Sequence, residues 1–417
     1  MYLKELTNEE FSSFTDYFIQ SSIYQTTEYA FVMNKQGFDS VFLGLVDDSE
    51  RIIAATLVLI HKKFGFKYAY APRGFLLDYT NYPLLEAFTM AIKKYLGKKD
   101  IIAIKLCPML VKSVYNADSV LIGNNRNFET FMANFKKLGY YHLGFNNNFE
   151  SLKPRFEAIL DLDKPPYDLF KHFKRGLKNK IRGTSKIGME IYKGNKEDLE
   201  HLYLETKDNY PRNLGYFDDI YYFFGKSDRV EFYYTKLNTE KFLTISKSDY
   251  EKLENFNNAL NSVILSRNIK EKDKFINQKL RADLRFETFK KRLVQATNYL
   301  RDDPNGIITA TALILKYRDT VYLFMDGYDK KYREFNSKHL LLWTLIEKYS
   351  KLGFKHFNLG GMSNINLKEN EFMGLNTFKQ NFNPKVYEYL GDFELITNQG
   401  LYFMYKNAAP LRNIFKR

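Results

Sequence analysis

One lysine stands in a setting that suits the stabilisation of a developing negative charge. It is Lys379, in the run Phe378-Lys379-Gln380-Asn381-Phe382-Asn383, which follows a double glycine, Gly360-Gly361. Flanking rings that exclude water raise the electrostatic worth of an ammonium to an oxyanion. Paired glycines let backbone approach a ligand closely. A surface lysine without a role is the other reading of this spacing. A second setting is Pro72-Arg73-Gly74-Phe75-Leu76-Leu77-Asp78-Tyr79. There Arg73 offers a planar fork for a carboxylate or phosphate, with Asp78 placed to hold it. An internal Arg73–Asp78 pair that only shapes the turn is the alternative. A third is the stretch from Lys171 to Lys186, which holds Lys171, Lys174, Arg175, Lys178, Lys180, Arg182 and Lys186 and no acid. On one helix, Lys171, Arg175, Lys178 and Arg182 would share a face and fit phosphate contacts. A solvated face is the bland alternative.

Other chemistries lack their residues. The six histidines are not paired at metal-ligand spacing and Cys107 is the single cysteine, so no metal site and no intrachain disulfide are expected. Neither a Walker loop nor G-x-G-x-x-G is present, and no cofactor is expected. No Ser-His-Asp order or buried carboxylate pair is evident. The formal net charge of +14 favours an anionic partner: nucleic acid, a phosphorylated substrate or an anionic membrane surface. The start, Met1-Tyr2-Leu3-Lys4-Glu5-Leu6, does not read as a signal peptide, and the apolar run Ile52–Ile60 is too short to span a bilayer. A cytoplasmic protein, peripheral at the inner membrane face at most, is expected. The basic end from Lys406 to Arg417, with Arg412, Lys416 and Arg417, would dock weakly to anionic lipid.

The elements that must position these residues repeat. Helices are predicted over Asn8–Phe18, from Thr27 to Lys35, over Tyr82–Leu96 and over Phe128–Leu138, with strands at Ser40–Val46, Arg51–His61 and Asp100–Cys107. The pattern restarts with a strand at Phe156–Leu162, a helix over Tyr167–Arg182 and another over Lys196–Asn209. Tyr250, Leu253, Phe256, Leu260 and Val263 then recur at helical steps. After a polar break near Arg267–Asp273, so do Phe275, Leu280, Leu284, Phe289 and Leu293, giving an antiparallel helical hairpin with a basic second arm. Such an arm serves either dimerisation or contact with an extended polyanion. Strands resume at Ile307–Tyr317 and Val321–Met325, before a helix over Ser337–Leu352 and a strand at His356–Leu359. The division expected is residues 1–152, completed by 386–417, and residues 153–385 carrying the hairpin at 237–303.

In order, these features resemble the FemABX family, the aminoacyl-tRNA-dependent transferases that build peptide bridges on peptidoglycan precursors. The stretches that carry the resemblance are Gln25-Thr26-Thr27-Glu28-Tyr29, Pro72-Arg73-Gly74 with Leu77-Asp78-Tyr79, the basic segment and Thr206–Tyr216. They continue with the hairpin, Phe357-Asn358-Leu359-Gly360-Gly361, Thr377-Phe378-Lys379 and Tyr387-Glu388-Tyr389-Leu390-Gly391-Asp392-Phe393. The resemblance implies an α/β fold of two GNAT-like domains with an inserted hairpin arm. It implies transfer of an amino acid from its tRNA to an amine of a lipid-linked or UDP-linked precursor, with Lys379 stabilising the tetrahedral oxyanion. Arg212 and Tyr216 match residues that hold the precursor's diphosphate region, and Gly360 and Gly361 match a turn lining the same cleft. Arg73, Asp78, Lys105 and Phe378 are further precursor-side candidates. Lys174, Arg175, Lys178, Arg182, Arg281 and Arg285 are candidates for tRNA contact.

The chain also departs from the family. Met33 stands where relatives carry a lysine, leaving Lys35 as the nearest substitute. Ile102 and Cys107-Pro108 replace a Tyr and an Asp, and Met325 replaces an aromatic before an Asp326-Gly327 turn. Two rivals follow: a non-catalytic paralogue that binds tRNA or precursor, and an acyl-CoA-dependent GNAT enzyme. The second needs a small residue where Arg212-Asn213-Leu214-Gly215-Tyr216-Phe217 ends in Phe217.

Overall fold

The computed structural model describes residues 1–414 apart from 64, 151, 152, 209, 211, 267, 268, 368 and 370, with backbone alone at 63, 269–272 and 408–414. The side chain of Arg412 and all of Lys416 and Arg417 therefore lie outside the described residues.

Two mixed sheets carry the fold. The seven-stranded sheet runs, in spatial order, Tyr2–Glu5, Asp39–Val46, Ile52–Lys63, Phe66–Pro72, Ile101–Cys107, Phe393–Ile396 and Tyr140–His142. The nine-stranded sheet runs Met189–Gly194, Val230–Leu237, Ile307–Tyr317, Thr320–Tyr328, His356–Met362, Phe156–Asp161, Lys385–Tyr389, Val111–Tyr115 and Leu121–Asn124. Residues 1–152 thus give two strands to the second sheet, and the C-terminal segment gives one strand to each.

Each sheet holds one parallel pair among antiparallel neighbours: Phe66–Pro72 with Ile101–Cys107, and Thr320–Tyr328 with His356–Met362. A parallel pair needs a crossover, and the helices Tyr82–Lys98 and Ser337–Lys351 supply it. This is the repeat that the alternation predicts. The two pairs differ in one respect. The first stays paired from Lys67↔Ile101 to Pro72↔Cys107, while the second pairs only from Thr320↔His356 to Tyr322↔Asn358. Beyond that point the second pair parts, opening a wedge in the sheet.

Strands that read as continuous apolar runs are buried on both faces. In Ile307–Tyr317 the period of two sends Ala310, Ala312 and Ile314 into one core and Leu313, Leu315 and Tyr317 into another. The second of these cores lies between the sheets. It joins Leu57, Leu59, Tyr70 and Cys107 of the first sheet to Phe232, Leu313 and Leu315 of the second. The helices Thr27–Lys35 and Leu214–Gly225 pack together within it. A third core fills the far face of the first sheet, under Tyr82–Lys98 and Phe128–Lys137.

The arm consists of Thr239–Ser266 and Ile269–Asp302. Contacts between Asn257 and Asp283 and between Asp249 and Arg292 make it antiparallel. Arg267 lies outside the described residues, and helix has resumed by Ile269, within the predicted polar break. Leu253 and Leu260 are buried in the seam as expected. Leu280 and Leu284 are exposed, and Ala282 takes the inner position instead.

Two further expectations are corrected. The basic stretch is two helices, Pro166–His172 and Arg175–Thr184, broken where Phe173 and Lys174 adopt extended ψ values of 149° and 142°. Phe173 is buried against Trp343 and Phe382, and this packing prevents Lys171 from continuing the face of Arg175 and Arg182. Asp326-Gly327 is not a turn: both residues lie within the strand Thr320–Tyr328, opposite Ala312 and Thr311.

Candidate active site

Lys379 lies in the last turn of the helix Met373–Gln380, and its side chain points into the wedge between the parted strands. It is buried, and its Nζ donates to the carbonyl of Gly361 at 2.6 Å. Gly360 has φ of +83°, and a Cβ placed there would meet Lys379 Nζ at 3.4 Å and the Leu323 carbonyl at 3.7 Å. Glycine is therefore favoured by the backbone conformation, and the ammonium lies within van der Waals reach of the turn. Burial, with Lys338 as a second cation nearby, pushes the Lys379 pKa down to about 8, while Asp326 and Glu157 hold it up. The aromatic frame differs from the expected one. Phe378 turns to His339, with ring centroids 5.0 Å apart, and receives Lys338 Nζ at 4.5 Å, so it shapes a neighbouring chamber.

The Gly360–Gly361 turn is tied to the Pro-Arg-Gly loop by a buried polar chain. Asn358 Oδ1 accepts from the Gly360 N–H at 2.7 Å, and its Nδ2 donates to Glu157 Oε2 at 3.0 Å. Arg73 then donates to Glu157 Oε1 at 2.6 Å and to the Pro154 carbonyl at 2.8 Å. Its guanidinium lies 4.3 Å from the centre of the Tyr389 ring. The partner of Arg73 is thus Glu157 and not Asp78, which is exposed and accepts from Thr80 in its own turn. Arg73, Glu157 and Asn358 also line a cavity of about 400 Å³ between the sheets, with Tyr24, Tyr322 and Tyr389.

Arg212 lies with its guanidinium 4.5 Å from the centre of the Tyr216 ring, and Tyr216 is buried in the core between the sheets. The same core holds Met33, while Lys35 is exposed at the end of its helix and stands apart from these residues. Lys105 pairs across the first sheet with Tyr70 and Glu394, on the same face as Cys107 by alternation. Burial pushes the Cys107 thiol up to about 12, so it is unreactive at neutral pH.

Two buried groups carry no sequence signal and were missed. Lys153 is buried with its Nζ 3.1 Å from the centre of the Tyr24 ring and 3.3 Å from the Tyr29 hydroxyl. Burial, reinforced by Arg73, holds its pKa well below the usual lysine range. Glu205 accepts a short hydrogen bond from Thr311 and lies against Gly327, where a Cβ would sit 2.6 Å from its own Cβ. Burial pushes Glu205 up to about 7, with Asp329 and Asp326 adding to the rise. Asp326 forms an ion pair with Lys338, and both act on Glu205 and on Lys379. A carboxyl near neutrality and an ammonium near 8 thus share one field, and of the two only Lys379 carried a sequence signal.

The cations expected to meet RNA are divided. Lys174 forms an ion pair with Asp118 at 3.1 Å, and Lys178 donates to the Lys171 carbonyl at 2.9 Å. Arg175 and Arg182 are exposed on their helix, Arg281 and Arg285 on the arm.

A model described as the FemAB family matches residues 6–409. Aminoacyltransferase FemA of Staphylococcus epidermidis is 26% identical over 99% of this chain and 100% of its own length. Aminoacyltransferase FemB of the same species is 26% identical over all of both chains. The lipid II:glycine glycyltransferase of Staphylococcus haemolyticus is 25% identical over 97% of this chain and 95% of its own. Among solved structures, FemX superposes with a TM-score of 0.73 at 22% identity, covering 97% of this chain and 99% of that one.

Proposed function

Because the chain belongs to the FemAB family, we propose that it is an aminoacyltransferase that builds the peptide bridge of a peptidoglycan precursor. The amino acid comes from its tRNA ester, and the acceptor is an amine of the precursor's stem peptide. The observation that carries this reading is Lys379: a buried ammonium in an opened sheet, held by one carbonyl, with donors left for an oxyanion.

The ester is already activated, so the protein's task is placement, proton removal and charge stabilisation. The amine attacks the ester carbonyl, and the C–N bond forms as the carbonyl oxygen takes negative charge. Lys379 faces that oxygen. Glu205 takes the ammonium proton that the acceptor must lose, a role that its pKa of about 7 suits. Collapse breaks the C–O bond, and the proton still to be lost by the new C–N nitrogen passes to the departing RNA oxygen, which leaves as the hydroxyl. The anionic part of the precursor lies along Arg212, Tyr216 and the buried Lys153.

The acyl-CoA alternative is disfavoured by the local geometry. The Tyr216 N–H at the start of Leu214–Gly225 already donates to the Asn213 side chain at 2.9 Å, and Tyr216 and Phe217 are buried. Phe217 fills the position where the pyrophosphate loop needs a small residue. Mass spectrometry of lipid-linked precursor incubated with the protein and a pool of charged tRNAs tests the assignment. The expected result is addition of one or more amino-acid residues that requires charged tRNA. An unchanged precursor, or acylation supported by acetyl-CoA alone, would refute it.

A further inference from the structure

A second depression lies between the foot of the arm, the helix Arg175–Thr184 and the turn Lys330–Phe335, with a volume of about 630 Å³. Lys180, Lys291 and Arg292 bring three cations to its wall, against one acid, Glu334. Glu334 accepts from Gln295 at 3.2 Å. Arg292 is the unusual member. It reaches Asp249 with Nη1 at 3.4 Å, while its buried Nε and Nη2 have no hydrogen-bond partner. Unpaired buried guanidinium donors are costly, and an anion held against the exposed quarter of this side chain would offset part of that cost electrostatically.

The depression does not stand alone. Asn336 belongs both to its wall and to that of the chamber of about 410 Å³ formed by Tyr328, Lys338, His339 and Phe378, the residue next to Lys379. Burial and the nearby Lys180 push His339 down to about 4, so this ring is neutral and offers an aromatic face beside Phe378. The positive groove and the aromatic chamber thus meet at Asn336, and Phe378 of the chamber is the chain neighbour of the candidate catalytic lysine.

We propose that the groove of Lys180, Lys291 and Arg292 grips the phosphodiester backbone of the RNA acceptor end, where it turns from the arm toward Lys379. This rests on the aminoacyl-tRNA reading above and adds to it a definite entry route. The groove suits a backbone, since its donors are cationic side chains without a base-reading pattern. The chamber suits an unpaired terminal base, which stacks on aromatic faces.

The test uses the full-length protein and two RNA minihelices, one with an intact single-stranded CCA end and one trimmed of it. Wild-type protein is expected to favour the intact RNA. Arg292→Gln, and separately the double variant Lys180→Ala/Lys291→Ala, should each weaken binding of the intact RNA about tenfold or more, as expected for loss of charge-assisted hydrogen bonds. Both should reduce the preference over the trimmed RNA. The double variant alters exposed side chains, and circular dichroism checks that each variant is folded. If wild type transfers from charged tRNA but both folded variants bind the intact RNA within about twofold of it, the groove assignment fails while the enzymatic reading stands. If wild type shows no RNA-dependent transfer, the enzymatic reading itself fails. Loss of binding to anionic vesicles, with RNA affinity unchanged, would overturn the proposal in favour of a lipid headgroup.

Discussion

Arg73 illustrates how a residue can be singled out correctly and paired wrongly. Its planar fork does take a carboxylate, but the carboxylate is Glu157, on a strand of the other sheet and 84 residues away. No local spacing discloses that partner. Glu205 is a harder case. It stands in Tyr203-Leu204-Glu205-Thr206, where nothing marks it as buried, and only the approach of Gly327 and Thr311 removes it from water. Breaking the buried Arg73–Glu157 pair should cost about 3–5 kcal/mol, so Glu157→Ala is expected to lower the denaturant midpoint strongly. Glu205→Gln should lower kcat by about 10²–10⁴ and flatten the rise of rate near pH 7. A variant with an unaltered pH profile would exclude Glu205 as the proton acceptor.

Lys379 links the stability of the fold to pH. Its folded pKa of about 8 lies below its ordinary value of 10.5, so the unfolded chain binds more protons between these limits. Stability contributed by this group therefore rises as pH increases from about 8 to about 10.5. Transfer should move the opposite way, falling above about pH 8 as the ammonium is lost. Urea melts across this range, compared with those of Lys379→Met, isolate the first effect.

At the scale of elements, the alternation of strand and helix reveals the repeat, because two parallel pairs with helical crossovers leave a regular apolar pattern. The wedge in the second pair is not legible, since it arises where Tyr322 and Asn358 stop pairing and Asn358 turns inward to Gly360 and Glu157. The break at Phe173 and Lys174 was likewise hidden, because a buried phenylalanine that ends a helix looks like one that lines it. Gly360→Ala should be strained at φ +83°, costing about 1–2 kcal/mol, and would set a methyl against Lys379 Nζ, where the oxyanion is proposed to lie. The expected outcome is a folded protein with a small loss in Tm and a much larger loss in kcat. A proportionate loss of both would assign Gly360 a purely structural role.

At the scale of the whole molecule, the two sheets share a core and a cavity, and the arm projects from the second. The net charge of +14 accords with a polyanionic partner, but it did not locate the contact. Half of the expected helix cations pair with Asp118 or the Lys171 carbonyl, while Lys180 and Arg292 line one depression at the foot of the arm. Among the described residues, no helix is long and apolar enough to cross a membrane. Affinity for tRNA should fall linearly with the logarithm of salt concentration, by about 0.7–0.9 in slope per neutralised phosphate. Removing Arg281 and Arg285 together should make that slope shallower, and an unchanged slope would free the arm for the dimerisation role.

The central claim is that Lys379 stabilises the oxyanion formed when an amino acid leaves its tRNA. Its most direct test is the single-turnover rate of transfer from saturating charged tRNA to the precursor, measured for wild type and Lys379→Met, with tRNA affinity determined on the same preparations. The rate should fall by about 10²–10³, the cost of losing one oxyanion donor, while affinity for tRNA stays within about twofold. A Lys379→Met rate close to wild type, with tRNA bound as tightly, would contradict the claim.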